Sequence, residues 1–213
     1  MIARIVKDPE VRREELVDTA EELFVKKGYD ETSVSEIVRK ARVAQGTFYY
    51  YFKSKDEIRN AIIDKNIDEV KVIIDGMMAT EGANALERMT MFSMGFREWA
   101  SQKGKLMEFI HQEKNEILHY RMSRKVLSYL TPAYEDIIRQ GIKEGVFSTK
   151  YPAEAAKALM GLTENIFEGE HAPDFDDKET QRKYKAVLEF SERILGAEPG
   201  LFIKFVKSKG FKL

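Results

Sequence analysis

Cysteine is missing from all 213 residues. Its absence removes disulfides, thiolate nucleophiles, zinc-finger ligation and iron–sulfur clusters together, leaving histidine and carboxylates as the strong metal ligands. Histidine is itself scarce, with three copies, and proline has five. No apolar run approaches the roughly 20 residues that a bilayer helix needs, and residues 1–9 lack the charged-then-apolar plan of a secretory signal. A cytoplasmic protein with no membrane partner is the expectation. An excess of one charge is lacking too: the formal net charge is −1, so bulk electrostatics announces no polyanion, and any basic surface has to be local. Neither a nucleophile–base–orienter set nor a phosphate-cradling glycine loop is present, so neither an enzyme nor a cofactor is expected.

What is present is helical periodicity, with proline and glycine mainly at boundaries, which predicts an all-α chain. Asp8 before Pro9 reads as an N-cap with proline at the first helical position, and Val11, Leu16, Ala20, Leu23 and Phe24 form an apolar stripe that ends at Gly28. Ser33 and Glu36 have capping-box spacing ahead of a short helix whose inward face is Val34, Ile37, Val38 and Ala41. A second short helix runs from Gln45 to about Phe52. Ser54 and Glu57 repeat the capping spacing and open a long helix striped by Ile58, Ala61, Ile62, Val70, Ile73, Ile74 and Met77. Further helices are expected over 83–101, 105–129 as one helix or with a break, 132–144, 152–170 and 178–195, with Thr131 before Pro132 marking a kink or boundary. The apolar and basic segment after Glu198 is expected to dock on the parent domain.

The segment Thr32–Ile58 is chemically unusual. It places three consecutive tyrosines beside five basic residues and carries no acid between Ile37 and Lys55. Two short helices joined by about three residues, behind a longer one, have the plan of a helix-turn-helix unit. In such a unit Gln45 offers a donor and an acceptor to adenine and Gly46 allows close backbone approach. Thr47 and the tyrosine hydroxyls bond phosphates, as does the ammonium of Lys55 at the next helix start. Successive helix positions differ by about 100°, so Tyr49, Tyr50 and Tyr51 cannot share one face. Phe48 and Phe52 are assigned to the core, one or two tyrosines to DNA, and any remaining ring to packing.

With "TSVSEI", "ARVAQGTFYYYF" and "KSKDEI", residues 11–58 resemble the TetR-type transcriptional repressors. The resemblance implies a helix-turn-helix DNA-binding domain over 1–54 and a helical effector-binding and dimerisation domain over 55–213. It places Ser35, Gln45, Gly46, Tyr49 and Tyr51 where base or groove contacts occur, and Thr47, Tyr50 and Lys55 near phosphates. Arg42 stands where the family commonly has glycine. If that position is left-handed, arginine costs on the order of 1 kcal/mol there, offset by a phosphate contact.

Eight of the nine methionines lie between Met77 and Met160, interleaved with aromatics. Such a set lines an adaptable cavity or fills a core. The resemblance implies the cavity, for a hydrophobic or amphipathic effector contacting Met89, Phe92, Phe96, Trp99, Met107, Ile110, His111 and Met122. Ala155, Leu159, Leu162 and Ile166 keep one helical face, and Tyr184, Val187, Leu188, Ser191 and Leu195 another; together with the resemblance they are expected to form a homodimer interface that matches a palindromic operator. The competing reading is metal binding. All three histidines follow a glutamate by three residues, as Glu108/His111, Glu116/His119 and Glu168/His171, a spacing used in di-iron helical bundles. Surface helix pairs explain it more simply, so no metal is expected.

Overall fold

The computed structural model describes residues 8–110, 115–167 and 176–210, which form ten α-helices and no strand. These are α1 Pro9–Lys27, α2 Val34–Lys40, α3 Gln45–Tyr51, α4 Lys55–Ala79, α5 Ala85–Gln102, α6 Gly104–Ile110, α7 Glu116–Lys143, α8 Pro152–Ile166, α9 Lys178–Leu195 and α10 Leu201–Ser208.

Local chemistry sets the starts. The Glu10 N–H donates to the Asp8 carboxylate at 2.8 Å with Pro9 opening α1, and Ser33 and Glu36 close a full capping box at α2. At α4 only half of the expected box forms. The Ser54 hydroxyl accepts the Glu57 N–H, whereas the Glu57 carboxylate accepts the Lys53 N–H at 2.6 Å, one residue earlier than the box requires.

One expectation fails and another is narrowed. Val11 is 47% exposed because it precedes the point where α1 meets its neighbours, so the buried stripe begins at Leu16. Pro132 marks no boundary, since α7 runs through it, and of the two alternatives only the kink is compatible with that helix. Proline removes the N–H that would bond the Ser128 carbonyl, and both residues lie on the exposed side, where water can satisfy that carbonyl.

Two seven-residue helices cannot stand alone, so α2 and α3 depend on burial against α1 and α4. Phe24, Phe48 and Phe52 are at most 1% exposed, each contributing about 2–3 kcal/mol by leaving water. The central strut is α4. It packs on α1 at one end and on α5 and α7 along its body, while α6 packs on α1, α5 and α7. Because Ile58, Ala61 and Ile62 are buried in the α4 segment, α4 belongs to both the small N-terminal core and the larger body. The C-terminal segment docks as expected: α10 packs on α9 and α5, and the buried Glu192 carboxylate accepts the N–H groups of Gly200 and Phe202 at 2.7 and 2.8 Å.

Candidate nucleic-acid interface and ligand cavity

The turn between α2 and α3 is closed by the Val43 N–H on the Val38 carbonyl at 3.0 Å, and among the described residues Arg42 is the non-glycine residue with positive φ, at 55°. The left-handed position anticipated from the sequence is therefore real. It carries the Arg42 side chain to the exposed tip of the turn.

Beyond it α3 divides its aromatics. Phe48 and Phe52 point inward, Tyr49 and Tyr50 are 53% and 77% exposed, and Tyr51 is half-buried against the core with its ring edge-on to Tyr50. Ser35, Gln45 and Gly46 are exposed, and Thr47 is half-buried. The cations divide as well. Lys40 pairs with Glu22, and Lys27 with Glu36, whereas Arg39, Arg42 and Lys53 form no ion pair among the described residues. Arg39 and Lys53 are thus further exposed cations flanking the reader that motif spacing did not single out.

Lys55 is placed differently from the sequence expectation. Its ammonium donates to the carbonyls of Tyr29 at 2.8 Å, Asp30 at 3.3 Å and Thr32 at 3.0 Å, and lies 4.2 Å from the Tyr29 ring centroid. An ammonium has three donors, so in this arrangement none is left over for phosphate. The Arg59 guanidinium lies 4.5 Å from the same ring, whose hydroxyl donates to Asp56 at 2.8 Å. Burial first, and then that hydrogen bond, push the Tyr29 hydroxyl up to about 12. At α2, the Lys27 ammonium and then the Ser33 N–H hold the Glu36 carboxyl down at about 2.

In the body a cavity of about 1310 Å³ opens between α5, α6, α7, α8, α9 and α10. Met89, Phe92, Phe96, Trp99, Met107, Ile110 and Met122 all line it; His111 lies outside the described residues. Thr90, Ser93, Arg97, His119, Ser123 and Tyr184 add polar points that the sequence did not indicate. Burial pushes the hydroxyls of Tyr134 and Tyr184 above the ordinary tyrosine value.

Six of the nine residues expected at a dimer interface are already covered within the single chain. Ala155, Leu159, Val187, Leu188, Ser191 and Leu195 are at most 9% exposed within the single chain, and Leu162, Ile166 and Tyr184 are half-buried. Helix α8 packs on α7 and α9, and α9 also on α10, while Leu159, Tyr184, Val187, Leu188 and Ser191 line the cavity, because an apolar stripe is covered first by the chain's own neighbours. The outward faces of α8 and α9 instead carry Lys157, Ala158, Asn165, Glu189, Phe190 and Arg193.

Among the described residues no group of three or more histidine, aspartate and glutamate side chains could hold a metal ion. His119 lies 3.3 Å from the Ser123 hydroxyl beside the cavity, and Glu116 is exposed. His111, Glu168 and His171 fall outside the described residues. No helix among the described residues is long and apolar enough to cross a membrane.

Known proteins agree with this layout. Residues 16–62 match the family model of bacterial regulatory proteins of the tetR family, and residues 100–190 match the tetracyclin repressor-like C-terminal domain. The chain is 30% identical over 151 residues to the transposon Tn10 TetC protein of Escherichia coli, covering 68% of this chain and 72% of that protein. Similarity to the HTH-type transcriptional regulator YvdT of Bacillus subtilis reaches 40% but spans 67 residues, 30% of this chain and 34% of the relative. Among solved structures, the fatty acid degradation regulator FadR from Bacillus halodurans superposes with a TM-score of 0.65 at 20% identity, over 89% of this chain and 96% of that one, which shows the shared fold. The chain is therefore a member of the TetR family of DNA-binding transcriptional regulators, and not an enzyme.

Proposed function

We propose that the chain is a ligand-responsive repressor that binds a palindromic operator as a homodimer and is released by a small apolar or amphipathic effector. The observation that carries this reading is an outward tyrosine-and-cation face followed by one continuous helix, α4, which packs on α5 and α7, two of the helices that line a largely apolar cavity of about 1310 Å³. Gln45 and Tyr49 read base edges from the exposed side of α3; Ser35, Gly46 and Thr47 fit against the groove. Arg42, Tyr50 and the neighbouring Arg39 and Lys53 anchor phosphates. Tyr51 supports the reader from behind, and Lys55 fixes the turn that precedes α2.

Two readers cover two half-sites about 34 Å apart only if two copies meet. The outward faces of α8 and α9 suit that contact. Ala158 and Gly161 allow close helix approach and Phe190, 40% exposed, supplies an apolar anchor. The effector shifts the balance between two arrangements of the dimer by its preference for one of them. The fatty acid role named for the Bacillus halodurans relative agrees with an elongated apolar ligand, and long-chain acyl compounds are the first class to screen.

The test is selection of bound sequences from a random duplex library at fixed salt, with light scattering on the same preparation. A two-fold-symmetric motif bound by a dimer is expected and supplies the operator for an effector screen. A folded protein that enriches no motif overturns the reading.

A further inference from the structure

One wall of the cavity is tied directly to the helix that carries the reader. Phe92, Phe96 and Trp99 follow one another along α5, with ring centroids 5.7 Å apart for the first pair and 5.5 Å for the second, and all three line the cavity. At the end of this ladder Trp99 is 6% exposed, and its indole N–H donates to the Glu69 carboxylate of α4 at 2.8 Å. The Lys103 ammonium, at the C-cap of α5, reaches both oxygens of the same carboxylate at 3.1 and 3.0 Å.

One turn further along, α4 and α5 pack closely at Gly95. A Cβ built on Gly95 would lie 2.8 Å from Ile73 Cγ2. Glu69 opposite Trp99 and Ile73 opposite Gly95 are steps of four residues in opposite directions, so the two contacts form one antiparallel seam. With no side chain at Gly95 to act as a spacer, a displacement of the α5 ladder is passed to α4 and not absorbed between them. Glu69 lies 14 residues from the first residue of α4, about 21 Å of helix.

We infer that Glu69 is the positioning residue through which α4 senses occupancy of the cavity: a ligand that displaces the Phe92–Phe96–Trp99 ladder moves the indole that Glu69 holds, and α4 carries the change to the reader. This rests on the effector reading above and goes beyond it by naming the contact that transmits the signal. Glu69 does not line the cavity and lies far from the operator-reading face, so its removal separates transmission from binding. Trp99 is the chain's sole tryptophan, so its emission reports cavity filling without knowledge of the natural ligand.

The experiment uses the full chain, the selected operator and the dye 1-anilinonaphthalene-8-sulfonate as cavity probe. Three quantities are read: dye Kd from loss of Trp99 emission, operator Kd without dye, and operator Kd at saturating dye. In the native chain the dye is expected to weaken operator binding about tenfold, within the usual range of coupling. Glu69→Ala is expected to leave the dye and operator Kd values within threefold while cutting that coupling to less than twofold. Glu69→Gln, which keeps an oxygen acceptor for the indole and loses the ion pair with Lys103, is expected to retain the coupling. Unchanged coupling in folded Glu69→Ala, or coupling lost equally in Glu69→Gln, overturns the relay through the indole alone. A native chain that takes up no dye, or takes it up without any change in operator affinity, overturns the effector reading and the relay with it.

Discussion

The N-terminal core and the C-terminal body use the same kinds of side chain to opposite ends. In the first, Phe24, Phe48 and Phe52 close around α1 to α4 with at most 1% exposure, and the polar groups nearby are held in place: Thr32 on the Gly28 carbonyl, Lys55 on three carbonyls, Glu36 on Lys27 and Ser33. In the second, Phe92, Phe96, Trp99 and the methionines surround about 1310 Å³ that they do not fill. Interiors are normally packed as densely as organic crystals. The head is closed around its rings and the body is built around an open cavity, and the ligand-responsive reading proposed above rests on that contrast.

The sharpest way to break the contrast is a pair of truncations. Phe48→Ala should destabilise the chain by about 3–5 kcal/mol in urea unfolding, because a fully buried ring is lost from a closed core. Phe92→Ala should cost about half as much, since one side of that ring faces open volume and has fewer partners to lose. Equal losses would mean that the body is packed like the head.

Lys55→Met tests the clamp. Three carbonyls lose a charged donor while the side-chain volume is nearly kept, and a loss of about 1.5–3 kcal/mol of unfolding free energy is expected. If stability is unchanged, the clamp contributes nothing to the head.

Arg42→Gly should act with opposite signs on the two quantities. Relief of the left-handed arginine raises stability by up to about 1 kcal/mol, while loss of a phosphate contact weakens all DNA sequences alike and lowers the salt slope by about one. A slope that does not move removes the phosphate role.

The smallest expected effect is in pH. Glu36 is held near 2 against an ordinary value of 4.5, so its contribution is fully present above about 4.5 and is lost as pH falls towards 2. Tyr29 is held near 12 against 10, so its contribution is present below 10 and is lost as pH rises through 12. Protection of the α2 amides from exchange, taken relative to the intrinsic rate at each pH, should fall between about pH 4.5 and 2 in the native chain, and that fall should be smaller in Glu36→Gln.

What could be read from the sequence was the local chemistry. Asp8 with Pro9 and Ser33 with Glu36 fix helix starts within four residues, and the 100° step along a helix separates Phe48 and Phe52 from Tyr49 and Tyr50 without any knowledge of the rest. Contacts between distant residues could not be read. Lys55 meets carbonyls 23 to 26 residues away, and Glu69 meets Trp99 across 30. The stripes of α8 and α9 were visible, but a stripe looks the same whether the chain itself or a second copy covers it. Leu195, with 0% exposure, shows which surface reached it first. Of the kink or boundary expected at Pro132 the boundary is absent, because tolerance of a proline depends on the side of α7 it occupies, which periodicity alone did not settle.

The double membership of α4 bears on how such chains can be recombined. A graft that joins this head to another body at residue 54 removes the start of α4, with its buried Ile58, Ala61 and Ile62, from a head whose α1 packs on α4, and the foreign residues would have to refill that space. A junction placed past Ala79, in the short connection to α5, lets a transplanted head keep its own strut and bring with it one half of the Glu69–Trp99 joint. Exchange of operator specificity between relatives is therefore least disruptive when about 80 residues travel together and the recipient already presents an indole to meet them.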